Sequence, residues 1–346
     1  MTKPLDLQDT EFVRERTYRA DLGLIQFSDG ETAWLVDPLA LDSLEPVNAV
    51  LNDPSILKVL HSGSEDLEVL LHTLGVVPEP LIDTQIACAM LGQPLQLAYH
   101  NALSWLFDLE IAKDQTRSNW CRRPLRSDQL RYAAMDVVLL PEMLAELRPR
   151  LEALGRWAWL QEDVARMQRQ ARQQADPGEA YLRFASAARL DPETLQALRY
   201  LARWREETAQ ARNRARGFVV SDAVLLRLAR ERPDSLQELK NTEDIHPAVV
   251  SRHGDFLLNL LKQARADRTE VRVPKPLDDR ERRSLKSLRR IVQAKAAELG
   301  IDPALLASRR ELENLLRAQA REEIPERFAG WRRAVVTDDL LAALRA

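Results

Sequence analysis

Leu22-Gly-Leu-Ile-Gln-Phe27, then Ser28-Asp-Gly30, then Ala33-Trp-Leu-Val36 is the stretch on which the fold turns. Apolar strand-formers on both sides of an Asp-Gly pair predict a β-hairpin, because those two residues tolerate the left-handed backbone that tight turns require. Upstream, Leu5 to Phe12 predicts a short first strand. Downstream, Ile56-Leu-Lys-Val-Leu-His61 predicts a fourth, leading through Ser62-Gly-Ser into Glu65 to Leu74, whose apolar spacing is helical. Helices are expected over Thr84 to Leu91, over Tyr99 to Phe107, and as one long element from Ser127 to Leu154 with Ser127 as its N-cap. A strand meander followed by strand-helix alternation is the pattern of a mixed sheet covered by helices.

The chain has 346 residues, more than one hydrophobic core usually organises, so two or three domains are expected. Apolar residues make up 45% and charged residues 30%, and no run of about 18 uncharged apolar residues exists that could span a bilayer. The opening residues lack the basic-then-apolar pattern of a secretory signal, which places the protein in the cytoplasm, away from membranes. Cys88 and Cys121 have no CxxC spacing, so neither a disulfide framework nor a thiolate zinc site is indicated. The net charge of −3 hides an asymmetry. Residues 1–150 carry 13 basic and 23 acidic side chains, a net of −10, whereas residues 151–346 carry 37 and 30, a net of +7. An acidic half invites cations and a basic half invites polyanions; two solvated surfaces of different composition would look the same.

Chemistry is concentrated in four acids. Asp9-Thr10-Glu11 falls where a strand is expected, so its two carboxylates project from one face while Thr10 points the other way. Like charges held that close repel unless a hard divalent cation sits between them, and magnesium and manganese prefer such oxygen ligands. Asp66 begins the helix just beyond the fourth strand, and strand ends are where sites in α/β sheets gather. Asp136 follows Tyr132 by one helical turn, which puts ring and carboxylate on one face. Singly these features are commonplace: an exposed strand pair, a helix-dipole partner and a surface helix pair. Their order along the chain is more informative.

With that order, residues 5–145 closely resemble the ribonuclease D family of DEDD exonucleases, in the branch with tyrosine in the last motif. The resemblance includes Asp9-Thr-Glu-Phe-Val-Arg14, Thr17-Tyr18, Asp37-Pro38, Leu60-His-Ser-Gly-Ser-Glu-Asp-Leu-Glu68, Leu81-Ile-Asp-Thr-Gln85, Trp120 with Arg123-Pro-Leu125, and Gln129-Leu-Arg-Tyr-Ala-Ala-Met-Asp136. It implies an α/β nuclease domain with an RNase H-like mixed sheet flanked by helices. It also implies two bound divalent metal ions, Mg2+ or Mn2+, and release of 5′-mononucleotides from RNA 3′ ends, including tRNA precursors with 3′ extensions. By matching positions, Asp9, Glu11, Asp66 and Asp136 would be metal ligands, with Tyr132 beside the attacking water. In such a two-metal reaction ions about 3.5 to 4 Å apart make hydroxide and stabilise the leaving oxygen. A phenol with a pKa near 10 is protonated at neutral pH, so Tyr132 would orient water rather than act as base.

Other positions keep two readings. His61 ends an apolar run and reads as a satisfied core or turn histidine rather than a ligand. Asp83 reads as a helix cap rather than a fifth ligand. Lys113, Arg117 and Arg123 would contact phosphates or remain surface charge. Phe12 and Tyr18 would stack on terminal bases or pack. Asn119 stands where members of the family commonly carry an acid before the tryptophan, and the approach to Asp9 is shorter than in relatives.

The second half resembles the helicase-and-RNase-D C-terminal (HRDC) domain through Leu198-Arg-Tyr-Leu-Ala-Arg-Trp-Arg-Glu-Glu207, Asn213, Phe218-Val-Val-Ser-Asp222 and Pro233, and more faintly through Gly330-Trp331 and Leu340-Leu341. Ala175-Asp-Pro-Gly178 and Val273-Pro-Lys-Pro276 punctuate it. The expected layout is therefore an exonuclease domain at 1–150, a helical linker at 151–189 and two all-α HRDC-like domains at 190–270 and 277–346. Arg203 and Arg205, with Arg212, Arg214 and Arg216, would hold RNA phosphates or line a solvated helix. The expectation is a monomeric RNA 3′-end trimming enzyme; a DNA exonuclease of the same superfamily and a catalytically silent RNA-binding protein are the alternatives.

Overall fold

The computed structural model describes residues 6–110, 118–173, 175–271, 273, 275–319 and 321–345. Strands β1 (Asp6–Val13), β2 (Asp21–Ser28) and β3 (Ala33–Val36) form a three-stranded sheet in that order. β2 and β3 pair antiparallel with Ser28 opposite Ala33, as the Asp-Gly signal predicts. In the turn Asp29 Oδ1 accepts from the N–H groups of Glu31 and Thr32, and Gly30 takes φ +85°, a region that disfavours a side chain.

After α1 (Glu45–Asn52) come β4 (Lys58–Leu60), α2 (Ser64–Leu74), β5 (Leu81–Asp83), α3 (Thr84–Met90) and α4 (Tyr99–Phe107). β4 and β5 pair parallel, and β1 lies alongside β4, so the layer is mixed. β4 is shorter than its apolar run suggests. Lys58 within it is buried, its ammonium donating to the carbonyls of Asp53 (2.5 Å) and Glu79 (3.1 Å), which satisfies the charge that the core would otherwise reject.

The single helix expected from Ser127 to Leu154 is two, α5 (Ser127–Val138) and α6 (Leu140–Ala153). Pro141 has no N–H to give the Val137 carbonyl, so the ladder breaks at Leu139. Ser127 is the first helical residue rather than the cap; at the cap position the Arg126 N–H donates to the Gln129 side chain (3.1 Å). The remaining helices are α7 (Trp157–Arg172), α8 (Pro192–Ala211), α9 (Arg216–Val219), α10 (Asp222–Glu231), α11 (Leu236–Asn241), α12 (Pro247–Ala266), α13 (Asp279–Leu299), α14 (Pro303–Leu306), α15 (Arg309–Gln319) and α16 (Asp338–Arg345).

The described residues form two compact units. One contains β1, residues from Leu22 to Gln173 and those from Leu277 onward; the other contains Arg14–Asp21 and residues from Gln174 to Pro276. In the first unit Val59 and Leu60 of β4, Leu67 of α2, Leu147 of α6, Leu160 of α7, Leu288 and Val292 of α13, and Phe328 share one core. The last helices therefore complete the core of the sheet-bearing unit. Their fastening to α7 is polar as well: buried Arg332 makes a two-point ion pair with Asp163 (2.6 and 2.7 Å), and Trp331 stacks on Trp159 at 4.4 Å. Burial alone would raise the Asp163 carboxyl, but Arg332, with Arg327 and Arg166, holds it below its ordinary value.

In the second unit α8 starts at Asp191, which accepts from the Thr194 N–H (2.9 Å), and packs Leu198 and Leu201 against Leu225 and Leu228 of α10 and Leu257 of α12. Among the described residues no helix is long and apolar enough to cross a membrane.

Candidate active site

β1 presents Asp9 and Glu11 two residues apart, and α5 packs against β1, bringing Asp136 to them. Carboxylate oxygens of Asp9, Glu11 and Asp136 lie within 4.8 Å of one another. Asp66, in the first turn of α2, is buried, and a helix N-terminus suits its charge. It is tied to β1 through Thr10, whose N–H (3.1 Å) and hydroxyl both donate to Asp66 Oδ1. Thr10, read in the sequence only as the residue facing away from the acids, is thus what seats the fourth carboxylate beside the other three. Nothing in the local pattern announces this, because the partner lies on another element.

No lysine, arginine or histidine among the described residues forms an ion pair with any of the four acids. Their electrostatics follow. Burial, then Asp66, Glu11 and Asp136, pushes the Asp9 carboxyl well above its ordinary value. Burial, then Asp136 and Asp66, lifts Glu11 to about 9. Burial lifts Asp136 to about 7, and the Tyr132 hydrogen bond pulls it partly back. Burial lifts Asp66 to about 6 against the pull of its two Thr10 bonds. Tyr132 shares the α5 face with Asp136, hydrogen-bonds to it and lies 6.3 Å ring to ring from Trp120. Burial and then the neighbouring acids raise its phenol, so it carries its proton. Hard oxygen donors crowded together, with no cationic side chain paired to them among the described residues, suit a divalent cation such as magnesium or manganese.

The flanks are firmly built. His61 is satisfied on both ring nitrogens, Nδ1 with the Thr84 hydroxyl (2.9 Å) and Nε2 with the Leu97 carbonyl (2.8 Å), as a core histidine should be. Asp83 caps α3 by accepting from the N–H groups of Gln85 and Ile86. Arg123 spends its guanidinium internally. It grips both oxygens of Asp37 (2.6 and 2.5 Å) and donates to the carbonyls of Trp120 (2.7 Å) and Gly23 (2.8 Å). A Cβ at Gly23 would come within 2.7 Å of the Trp120 carbonyl oxygen, so this clamp also needs a glycine. Asn119 Oδ1 closes the adjoining turn by accepting from the Cys121 N–H (3.1 Å).

Of the residues named for substrate contact, Phe12 follows Glu11 on β1 and is partly buried. Lys113 and Arg117 lie outside the described residues. Tyr18 belongs to the second unit, where its hydroxyl donates to Glu206 (2.5 Å) and its ring lies 4.5 Å beneath the Arg216 guanidinium. Arg205 is buried there, donating to the Val220 carbonyl (3.1 Å) and to Asp222 (2.6 Å). Arg203 is exposed and pairs with Glu207 (2.7 Å).

Comparison with known proteins adds identity to this geometry. Residues 8–152 match the 3′-5′ exonuclease family, residues 194–261 the HRDC domain, and residues 281–340 the C-terminal HRDC domain of ribonuclease D. The chain is 41% identical over 351 residues to ribonuclease D of Pseudomonas paraeruginosa, covering 100% of this chain and 93% of that one. With ribonuclease D of Escherichia coli (strain K12) the identity is 36% over 342 residues, covering 96% and 90%. The crystal structure of Escherichia coli RNase D, described as an exoribonuclease involved in structured RNA processing, superposes with a TM-score of 0.89 at 35% identity, covering 99% of this chain and 93% of that one.

Proposed function

The chain belongs to the ribonuclease D family of 3′-5′ exoribonucleases, and on that premise we propose that Asp9, Glu11, Asp66 and Asp136 hold two divalent ions, magnesium or manganese, at the RNA 3′ end. The observation that carries this reading is the convergence of the Asp9, Glu11 and Asp136 carboxylates, with Asp66 close enough to raise Asp9, and with no basic side chain among the described residues paired to any of the four. When bound, such ions supply hydroxide from water at neutral pH and offset charge on the leaving 3′ oxygen. The chain's own residues do the rest. Tyr132, protonated and hydrogen-bonded to Asp136, positions the attacking water through its hydroxyl. Thr10 keeps Asp66 in place, and Phe12, next to Glu11 along β1, would stack on a terminal base.

The products would be 5′-mononucleotides and the natural substrates tRNA precursors with 3′ extensions, trimmed in the cytoplasm by a monomer. The helical residues 190–346 would hold the body of the RNA, with exposed arginines such as Arg203 on its phosphates. One assay tests the whole reading: 3′-labelled and 5′-labelled RNA and DNA are incubated with magnesium, manganese or chelator. Stepwise shortening of RNA from its 3′ end, stopped by chelator, is the expected result. Equal or better cleavage of DNA would make the chain a DNA exonuclease, and binding without cleavage would make it a silent RNA-binding protein.

A further inference from the structure

A cavity of about 490 Å³ opens within the second unit, where the end of α8, the short α9 and the first turns of α10 and α12 meet. Val220, Val224, Ile245 and Val249 give it apolar walls. Around it stand Arg212, Arg214 and Arg252, all exposed, and among the described residues none of the three side chains has a carboxylate partner. That sets them apart from neighbours in the same unit, since Arg205, Arg216, Arg227 and Arg232 are each paired with an acid at 2.6 to 2.7 Å. Asp244 also lines the cavity, but Arg227 claims it at 2.7 Å. Phe218 is 52% exposed at the edge, with Arg214 5.8 Å from its ring centre. Arg212, the residue that follows α8, and Arg252 from α12 both bear electrostatically on His253, which burial and those two charges keep below its ordinary pKa. The lining therefore draws its positive charge from arginines.

Half-exposed phenylalanine, apolar walls and uncompensated arginines form a complementary set. A base offers a flat apolar face for stacking and its flanking phosphates offer anions, and an unpaired base enters without the cost of breaking a pair and leaving a duplex stack. The volume is that of a site for one small ligand. We propose that this cavity holds one unpaired nucleotide of an RNA strand, the base stacked on Phe218 and the flanking phosphates on Arg212 and Arg252. The inference rests on the reading of the chain as an RNA-trimming enzyme and adds where an unpaired part of the substrate is gripped.

The test uses the full chain in chelator, so that nothing is cleaved, with a short single-stranded oligoadenylate carrying 2-aminopurine and with a blunt-ended RNA duplex of two separate strands, which has no unpaired nucleotide. Binding of the single strand should quench 2-aminopurine. Phe218→Ala should abolish the quenching and weaken binding about tenfold, the equivalent of one stacked base at about 1.4 kcal/mol. Phe218→Leu, which keeps apolar bulk without the ring, should lose the quenching too. The double change Arg212→Gln with Arg252→Gln should flatten the log–log salt dependence by about 1.4, at roughly 0.7 per phosphate contact on a single strand. Arg230→Gln, at the C-terminal end of α10, should change neither quenching nor affinity. The inference is overturned if the Phe218 and arginine variants bind the single strand within twofold of wild type, or if binding of the blunt-ended duplex depends on them equally. Restoring manganese to the wild-type sample separates the two readings: failure to shorten the strand from its 3′ end overturns the enzymatic reading, whatever the cavity binds.

Discussion

Glutamine at position 11 should stabilise the metal-free protein while destroying its activity. In the folded chain the Glu11 carboxyl is lifted from 4.5 to about 9, by burial first and by Asp136 and Asp66 next. A raised acid binds its proton more tightly folded than unfolded, so it is neutral in the native state while the unfolded chain has ionised. Its contribution to stability is therefore lost steadily as pH rises above 4.5 towards 9. At pH 7 the penalty is capped by the distance from the unfolded value, about 2.5 units at about 1.4 kcal/mol each, or about 3.5 kcal/mol. Glu11 is only partly buried by surface area, so solvent screening reduces this, and we expect Glu11→Gln to gain about 1–2 kcal/mol at pH 7. Urea unfolding in chelator at pH 5, 7 and 8.5 measures it. Wild type should weaken across that range and the variant should weaken less, while manganese should raise the midpoint of wild type more than that of the variant. A variant that is less stable than wild type at pH 8.5, or one whose pH dependence runs parallel to it, would refute the argument that uncompensated acids strain the empty site.

Asp9→Asn, Asp66→Asn and Asp136→Asn should each cost activity by orders of magnitude yet leave RNA affinity in chelator largely intact; two variants with near-normal turnover would break the metal-site assignment. Tyr132→Phe should lower kcat with little change in KM, and by less than Asp136→Asn, because the ring stays against Trp120 and only the water-positioning hydroxyl is lost; an effect on KM alone would make Tyr132 a substrate-binding residue. Asp163→Asn should cost about 3–5 kcal/mol in urea unfolding, since it strands the buried Arg332 guanidinium without its two-point partner, and a loss below about 1 kcal/mol would contradict that. A chain ended near residue 175 should lose cooperative unfolding and aggregate, because Leu288, Val292, Phe328 and Trp331 are then missing from the core around β4 and α6; a soluble, active fragment would show that core to be dispensable.

Much of the site was legible before any tertiary structure. Strand alternation alone put Asp9 and Glu11 on one face, one helical turn put Tyr132 beside Asp136, and Asp-Gly placed the β2-β3 turn. Asp83 was readable as a cap because capping depends on the next two or three residues. The break at Leu139 was equally local and was missed only because apolar periodicity outweighed the missing N–H of Pro141. What no local pattern held was every partnership across the chain: Thr10 with Asp66, Arg123 with Asp37, Tyr18 with Glu206 and Arg216, and the return of α13 to α16 to the core of the first unit. Arg123 and Tyr18 looked free to meet RNA because a sequence lists donors without saying which acceptors folding brings within reach. Periods of two and 3.6 residues are set by the backbone and can be read from neighbours, whereas a hydrogen bond or a shared core between distant segments exists only once burial has brought them together.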